Sequence, residues 1–278
     1  METPVLTKKA FAEIQRYVRT HSGINLTEQK KSLVIARLQK LLQINGFADF
    51  ESYLQFLTND RSGQGLSTLI NKISTNHTYF NREAEHFDFL REQALPALNH
   101  IVKNANSKEK LRLWSAGCST GEEAYQLAME LIEFFGRAAA KQKTAILATD
   151  ISTDALTRAL EGRYVKENVL NLPPKFVRKY FIQKDEQNFE LKPFVKSLIL
   201  FKRLNLIRRH FPFQKRFHII FCRNVMIYFD QATKSALLQK FHHYLEPGGY
   251  LLIGHSESLL PDNRLFKYLQ PSIYQKEV

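Results

Sequence analysis

The chain has 278 residues, 44% of them hydrophobic and 24% charged, the balance of an ordinary globular protein with length for one large or two modest domains. No window nears eighteen consecutive apolar residues, the amino terminus lacks the apolar run of a secretory signal, and two cysteines, Cys118 and Cys222, build neither a disulfide framework nor a cysteine metal cluster; membrane insertion and a bound metal are therefore not expected. The net charge of +13 predicts attraction to something acidic, but it is spread along the chain and never interleaved with aromatics as on a nucleic-acid platform.

Residues 1–70 read as an all-helical unit. Phe11, Ile14, Tyr17 and Val18 recur at helical spacing up to Gly23. Leu33, Val34, Leu38, Leu41 and Leu42 repeat the pattern between two candidate caps, Thr27 and Gly46, and a third helix runs through ADFESYLQFLTND. Residues 71–107 form a linker region, helical but broken around NHTYFNRE, where Asn76 or Thr78 suits a helix cap. KNANSKEK, 103–110, reads as a polar loop.

Over 108–278 the period changes. LRLWSAG, KTAILATDI, SLILFKRLNL, FHIIFCRN and YLLIGHSE read as strands, with helices between them and SIYQKEV as a short final strand. Ser152 or Thr153 opens the helix after the second strand. Such alternation predicts an α/β domain whose mostly parallel sheet is covered on both faces. Residues 172–197 break the alternation; VRKYFIQ and NFELKPFV read as an inserted antiparallel hairpin.

Ligands of open α/β sheets bind beyond the carboxyl ends of the strands. The first strand ends in Gly117-Cys118-Ser119-Thr120-Gly121, followed by Glu122 and Glu123. This spacing is neither G-x-G-x-x-G nor a P-loop. Two carboxylates suit a helix start but repel a pyrophosphate. The stretch is either a tight turn with helix-start glutamates or a site for a cationic, phosphate-free ligand; S-adenosylmethionine, with its ammonium, sulfonium and ribose diol, fits the second reading. Asp150 ends the second strand, placed to accept from ribose hydroxyls or to cap a helix. Asn205 and Leu206 end the third, where they could flank an adenine. The fourth ends in Cys222-Arg223-Asn224-Val225-Met226-Ile227-Tyr228-Phe229-Asp230, the station of catalytic groups in such sheets. Taken singly, Arg223 could be a structural ion-pair partner and Tyr228 a core aromatic.

AGCSTGEEAYQLAM, ATDIS, FKRLNL, FCRNVMIYFD and GHSES follow in this order, with NHTYFNREAEHF upstream. This set closely resembles the CheR family of chemotaxis receptor methyltransferases over nearly the whole chain. The resemblance implies a helical N-terminal domain, a linker, and a Rossmann-like S-adenosylmethionine-dependent methyltransferase domain with an inserted small antiparallel β-subdomain. It implies a cytoplasmic enzyme that methyl-esterifies glutamate side chains of chemoreceptors. It implies cofactor contacts from Asn76, Thr78, Arg82, Glu122, Asp150, Asn205, Leu206, Arg223 and Asn224, with Arg82 and Tyr228 as catalytic residues. Asn81 stands where family members often carry an aromatic. Family substrates are helices rich in Glu and Gln, so the basic helix 27–42, with Lys30, Lys31, Arg37 and Lys40, is the expected docking face for an acidic methylation helix. The hairpin turn Lys184-Asp185-Glu186-Gln187-Asn188 lacks the glycines of versions that grip a receptor's C-terminal peptide, so such a tether is not expected. Nucleic acid is not an expected partner either: amino-group methylation of bases uses an Asn/Asp-Pro-Pro-aromatic turn, and Arg223-Asn224-Val225-Met226 contains no proline.

Overall fold

A computed structural model describes residues 5–103, 109–259 and 264–277, so that 104–108 of the polar loop lie outside the described residues. Four helices open the chain: α1 (Lys8–Ser22), α2 (Lys31–Ile44), α3 (Phe50–Asn59) and α4 (Gln64–Ile73). Thr7 starts α1 by accepting from the Ala10 N–H, and Gly23 ends it in the left-handed region. Phe11, Ile14 and Val18 of α1 meet Val34, Leu38 and Leu42 of α2 in one buried cluster with Phe50, Tyr53 and Leu69. The helical period seen in the sequence is therefore the period of a core. Thr27 precedes a short 3₁₀ turn, Glu28–Lys30, and makes no side-chain cap bond.

The strands are β1 (Leu111–Ala116), β2 (Thr144–Asp150), β3 (Arg163–Val165), β4 (Phe181–Gln183), β5 (Asn188–Leu191), β6 (Ile199–Arg203), β7 (Phe217–Cys222), β8 (Leu245–Ile253), β9 (Lys267–Gln270) and β10 (Ile273–Gln275). Seven of them form one sheet in the order β6-β2-β1-β7-β8-β10-β9. The first five run parallel, and β10 is antiparallel to both its neighbours. Alternation along β1 sends Leu111 and Leu113 into one hydrophobic layer and Trp114 and Ala116 into the other, so both faces are covered. The chain leaves β1 toward β2 and β6 on one side and returns to β7 and β8 on the other. The switch point lies at the end of β1, and a crevice opens there.

Two expectations are corrected. The strand expected over YLLIGHSE starts earlier and stops sooner: β8 runs from Leu245 to Ile253, directly after the preceding helix ends at Tyr244. The insert is larger than the hairpin expected over 172–197. Its sheet has three strands in the order β3-β5-β4, beginning at Arg163. Most of VRKYFIQ is the helix Pro174–Tyr180, whose Phe176 and Tyr180 face the core; only Phe181–Gln183 is strand. A short apolar run bears either period, and here Pro174 at the first helical position favours the helix.

Candidate functional site

A cavity of about 1060 Å³, counting its open mouth, lies over the ends of β1, β2 and β7. Its other walls come from the linker and from Ser22 and Ile24 of the helical unit.

The turn after β1 is tied to β2. Gly117 and Cys118 both donate their N–H to the Thr149 carbonyl, at 2.7 and 2.9 Å. Gly117 has φ +89°, and a Cβ there would stand 2.3 Å from Val225 Cγ2, so only glycine allows the β1 and β7 turns to touch. Ser119 donates its N–H to Asp150 Oδ2 at 2.8 Å and its hydroxyl to the Asn76 carbonyl at 3.1 Å. Asp150 Oδ1 accepts from the Ser152 N–H, while Ser152 Oγ caps the next helix by accepting from Ala155. Asp150 is thus not the cap. It is a buried carboxylate on the cavity wall, and burial raises its pKa.

The two glutamates face different neighbours. Glu122, the expected cofactor contact, is not on the wall. It is 1% exposed and accepts from Thr120 Oγ1 at 2.7 Å and Asn168 Nδ2 at 3.1 Å, tying the glycine turn to the insert. Glu123 lines the cavity, accepting from Ser115 Oγ at 2.6 Å and Arg223 Nη1 at 3.3 Å. Burial raises its pKa more than Arg223 lowers it. Adjacent residues point about 100° apart around a helix, and sequence spacing alone does not say which one meets the crevice.

Arg223 is 7% exposed and holds three partners: Glu83 Oε2 at 3.1 Å, Glu123, and the Arg82 carbonyl. Asn224, at φ +58°, donates Nδ2 to Glu83 Oε1 at 3.1 Å. Its N–H, with those of Ile227 and Gly254, is held by the Glu257 carboxylate at 2.7–3.1 Å. Glu83 lies inside NHTYFNREAEHF and Glu257 inside GHSES, where no local pattern marks either role. Burial alone would raise the Glu83 pKa; Arg223, Asn224 and the His255 N–H together hold it below the ordinary value.

Asn76 and Thr78 cap nothing, since the next helix begins at Glu85 with Ala84 as its N-cap. Both line the cavity, as does Arg82, whose Nη1 donates to the His77 carbonyl at 2.8 Å. Asn81 sits at φ +62° and pairs with Gln126 in both directions, at 2.6 and 3.1 Å. That explains its departure from an aromatic: asparagine tolerates the left-handed region and answers both groups of the amide. Asn205 and Leu206 line the cavity, and Asn205 Nδ2 also donates to the His21 carbonyl at 2.6 Å. Tyr228, in the 3₁₀ turn Met226–Tyr228, lines it too; its carbonyl accepts from the Asn25 N–H at 2.7 Å, and the Lys30 ammonium lies 5.1 Å above its ring. Cys118 and Cys222 are buried thiols whose pKa burial pushes up, which leaves them inert.

Among the described residues, non-glycine positions with positive φ are Asn81, Glu83, Ser119, Asn224 and Ser272; Glu83, Ser119 and Asn224 bind one another, Arg223 or Asp150 around this cavity, and Asn81 pairs with Gln126. Backbone strain of about 1–3 kcal/mol per residue persists where surrounding bonds over-determine it.

The walls suit S-adenosylmethionine. Buried Asp150 offers an acceptor for ribose hydroxyls, the Glu123–Arg223 pair matches an ammonium and a carboxylate, and Leu206 supplies an apolar face. Sheet order and crevice define an S-adenosylmethionine-dependent methyltransferase fold. Residues 76–274 match the family model described as CheR methyltransferase, SAM binding domain, and residues 9–74 match the CheR methyltransferase all-alpha domain. A chemotaxis protein methyltransferase of Borreliella burgdorferi is 45% identical over 271 residues, covering 98% of this chain and 95% of that protein. One from Escherichia coli is 34% identical, covering 98% and 92%, and chemotaxis protein methyltransferase 1 of Pseudomonas aeruginosa is 36% identical, covering 95% and 96%. The chain belongs to the CheR family of chemotaxis methyltransferases and uses S-adenosylmethionine. Among the described residues no helix is long and apolar enough to cross a membrane.

Proposed function

We propose that the protein transfers the methyl group of S-adenosylmethionine to glutamate side chains on the cytoplasmic domains of chemoreceptors, forming methyl esters. The observation that carries this reading is a single cavity that joins the acid-lined wall of Asp150 and Glu123 to Arg82 and Tyr228. The cofactor supplies a methyl group on a sulfonium. A glutamate oxygen forms the new C–O bond as the C–S bond breaks, with the electron pair remaining on sulfur. The substrate carboxylate is already ionised at pH 7, so no general base is required and alignment supplies the rate. Arg82, permanently charged, holds that carboxylate by charge-assisted hydrogen bonds. Tyr228 closes the wall beside the reacting centre. Asn76, Thr78, Asp150, Asn205, Leu206, Glu123, Arg223 and Asn224 hold the cofactor.

The basic face of the helical unit receives the substrate helix. Lys40 is exposed, and Lys30 and Lys31 are half-exposed. Arg37 leaves this set: its guanidinium donates to the Ile73 and Ser74 carbonyls, at 2.6 and 3.1 Å, and holds the start of the linker. Lys30 stands over Tyr228, so the basic face reaches the mouth of the cavity. The insert is not a tether for a receptor tail. Its loop has no glycine and is closed by Asp185, which accepts from the Gln187 and Asn188 N–H groups; a tail-peptide titration should release no heat.

The test incubates the protein with labelled S-adenosylmethionine and receptor-enriched membranes. A base-labile methyl ester is expected, with turnover cut by at least about tenfold in Arg82→Ala and Tyr228→Phe while cofactor-product affinity stays within about threefold. Reversing Lys30 and Lys40 to Glu should raise the apparent KM and flatten its salt dependence. A base-stable product, or full turnover in both cavity variants, overturns the reading.

A further inference from the structure

Beside the cavity, outside its wall, three side chains converge that take no direct part in methyl transfer. One ligand atom each from Glu83, His86 and His255 lies within 4.8 Å of the other two. We propose that these residues form a binding site for a divalent transition-metal ion of the zinc class.

His86 carries the argument. It is fully buried, and neither ring nitrogen has a hydrogen-bond partner among the described residues. Nδ1 stands 3.4 Å from Glu83 Oε2 without forming a hydrogen bond. A buried polar atom left unpaired costs about 1–3 kcal/mol, so an imidazole with two such atoms is costly unless something binds it. His255 lies against it, ring centroids 5.0 Å apart and edge-on, with 45% of its side chain exposed. An ion can therefore enter from the His255 side. Glu85 Oε2 lies 4.0 Å from His255 Nε2 on a 72% exposed side chain, free to swing in as a fourth ligand or leave that place to water.

Two imidazole nitrogens and one carboxylate oxygen, with a fourth position open, are a common donor set for zinc. Ligand atoms of a tetrahedral zinc site are roughly 3.3 Å apart, from metal–ligand bonds of about 2.0–2.1 Å. Closing the present separation asks for rotation of the exposed His255 ring, while Glu83 is already fixed by the His255 N–H and Asn224 Nδ2, each at 3.1 Å from its Oε1. The positive charge of Arg223 lies close by, but Glu123 is paired with it at 3.3 Å. Glu83 Oε2 also accepts from Arg223 Nε. An ion that takes this oxygen loosens a side chain on the cavity wall, so metal and cofactor affinities are linked, each weakening the other by the same factor.

Titration of the chelator-stripped full chain with Zn²⁺, in competition with a chromogenic chelator, tests the site. One equivalent binding tighter than about 10 μM is expected, weakened at least about tenfold in His255→Ala, a variant whose S-adenosylhomocysteine affinity in metal-free buffer stays within about twofold. Co²⁺ in the native chain should give the visible absorption of a four-coordinate ion, a readout that needs no variant. Binding weaker than 10 μM, His255→Ala binding as tightly as the native chain, or an octahedral cobalt spectrum overturns the proposal.

Discussion

The two ends of the parallel sheet are built on opposite principles. At the amino end, charges are answered. Arg112, at the start of β1, donates to Glu109 at 2.8 Å, Glu246 at 3.0 Å and the Arg216 carbonyl at 2.6 Å, and its N–H donates to His218 Nδ1 at 3.0 Å. At the carboxyl end, Asp150, Glu123 and Glu257 are buried carboxylates with raised pKa, and Asn81, Glu83, Ser119 and Asn224 hold positive φ around the cavity. One end spends its polar groups on stability. The other keeps groups poised for a ligand and is held in shape by strand register and backbone hydrogen bonds. Changes at the two ends should therefore differ: ligand affinity should respond at the carboxyl end and not at the amino end.

The largest effect is expected at the carboxyl end. Gly117→Ala puts a Cβ 2.3 Å from Val225 Cγ2 on a backbone at φ +89°. The β1 and β7 turns must part, and the crevice between them loses its shape. S-adenosylhomocysteine affinity should fall by more than about 100-fold, nearly 3 kcal/mol by calorimetry. The unfolding midpoint should fall as well, because strain and overlap add. Unchanged affinity would break the assignment of ligand binding to this end.

Next in size is Arg112→Ala. It removes two ion pairs and leaves the Arg216 carbonyl without this donor. The expected cost is about 2 kcal/mol, which at this chain length lowers the unfolding midpoint by several degrees. Cofactor-product affinity should stay within about twofold. A large loss of affinity would show that the ends are coupled through β1, and the contrast would fail.

The contrast also separates what the sequence reveals from what it hides. The strands, the crevice at their carboxyl ends and most wall residues were legible, because period 2, helical spacing and short motifs such as FCRNVMIYFD are local patterns. Which of Glu122 and Glu123 meets Ser115 and Arg223 was not, since that depends on how the helix is rotated against the sheet. Glu83 and Glu257 were missed because their partners, Arg223 and the backbone N–H groups of Asn224 and Ile227, are far away in the chain. Arg37 read as a free surface charge until α4 supplied carbonyls for it. The third strand of the insert escaped because Arg163–Val165 has only three residues and is paired with a strand some 25 residues on.

The smallest effect at neutral pH concerns His218. Burial, with Arg112 close by, lowers its pKa from the ordinary 6.5 to about 4. In the native protein Nδ1 accepts the Arg112 N–H and must stay unprotonated. Above pH 6.5 the ring is neutral in both folded and unfolded chains, and its contribution is fully present. As pH falls from 6.5 toward 4, the unfolded chain binds a proton that the folded chain refuses, and stability is lost at up to about 1.4 kcal/mol per pH unit. His218→Leu removes that proton. Its stability at pH 7 should lie somewhat below that of the native chain, since the Arg112 N–H loses its acceptor, but its decline between pH 6.5 and 4 should be shallower by one proton's slope in denaturant unfolding. S-adenosylhomocysteine affinity at pH 7 should not change, because the ring lies at the opposite end of β7 from Arg223. An identical pH slope in the two proteins would mean that His218 protonates freely in the native state, and the amino end would not be the closed, fully answered structure its bonds describe.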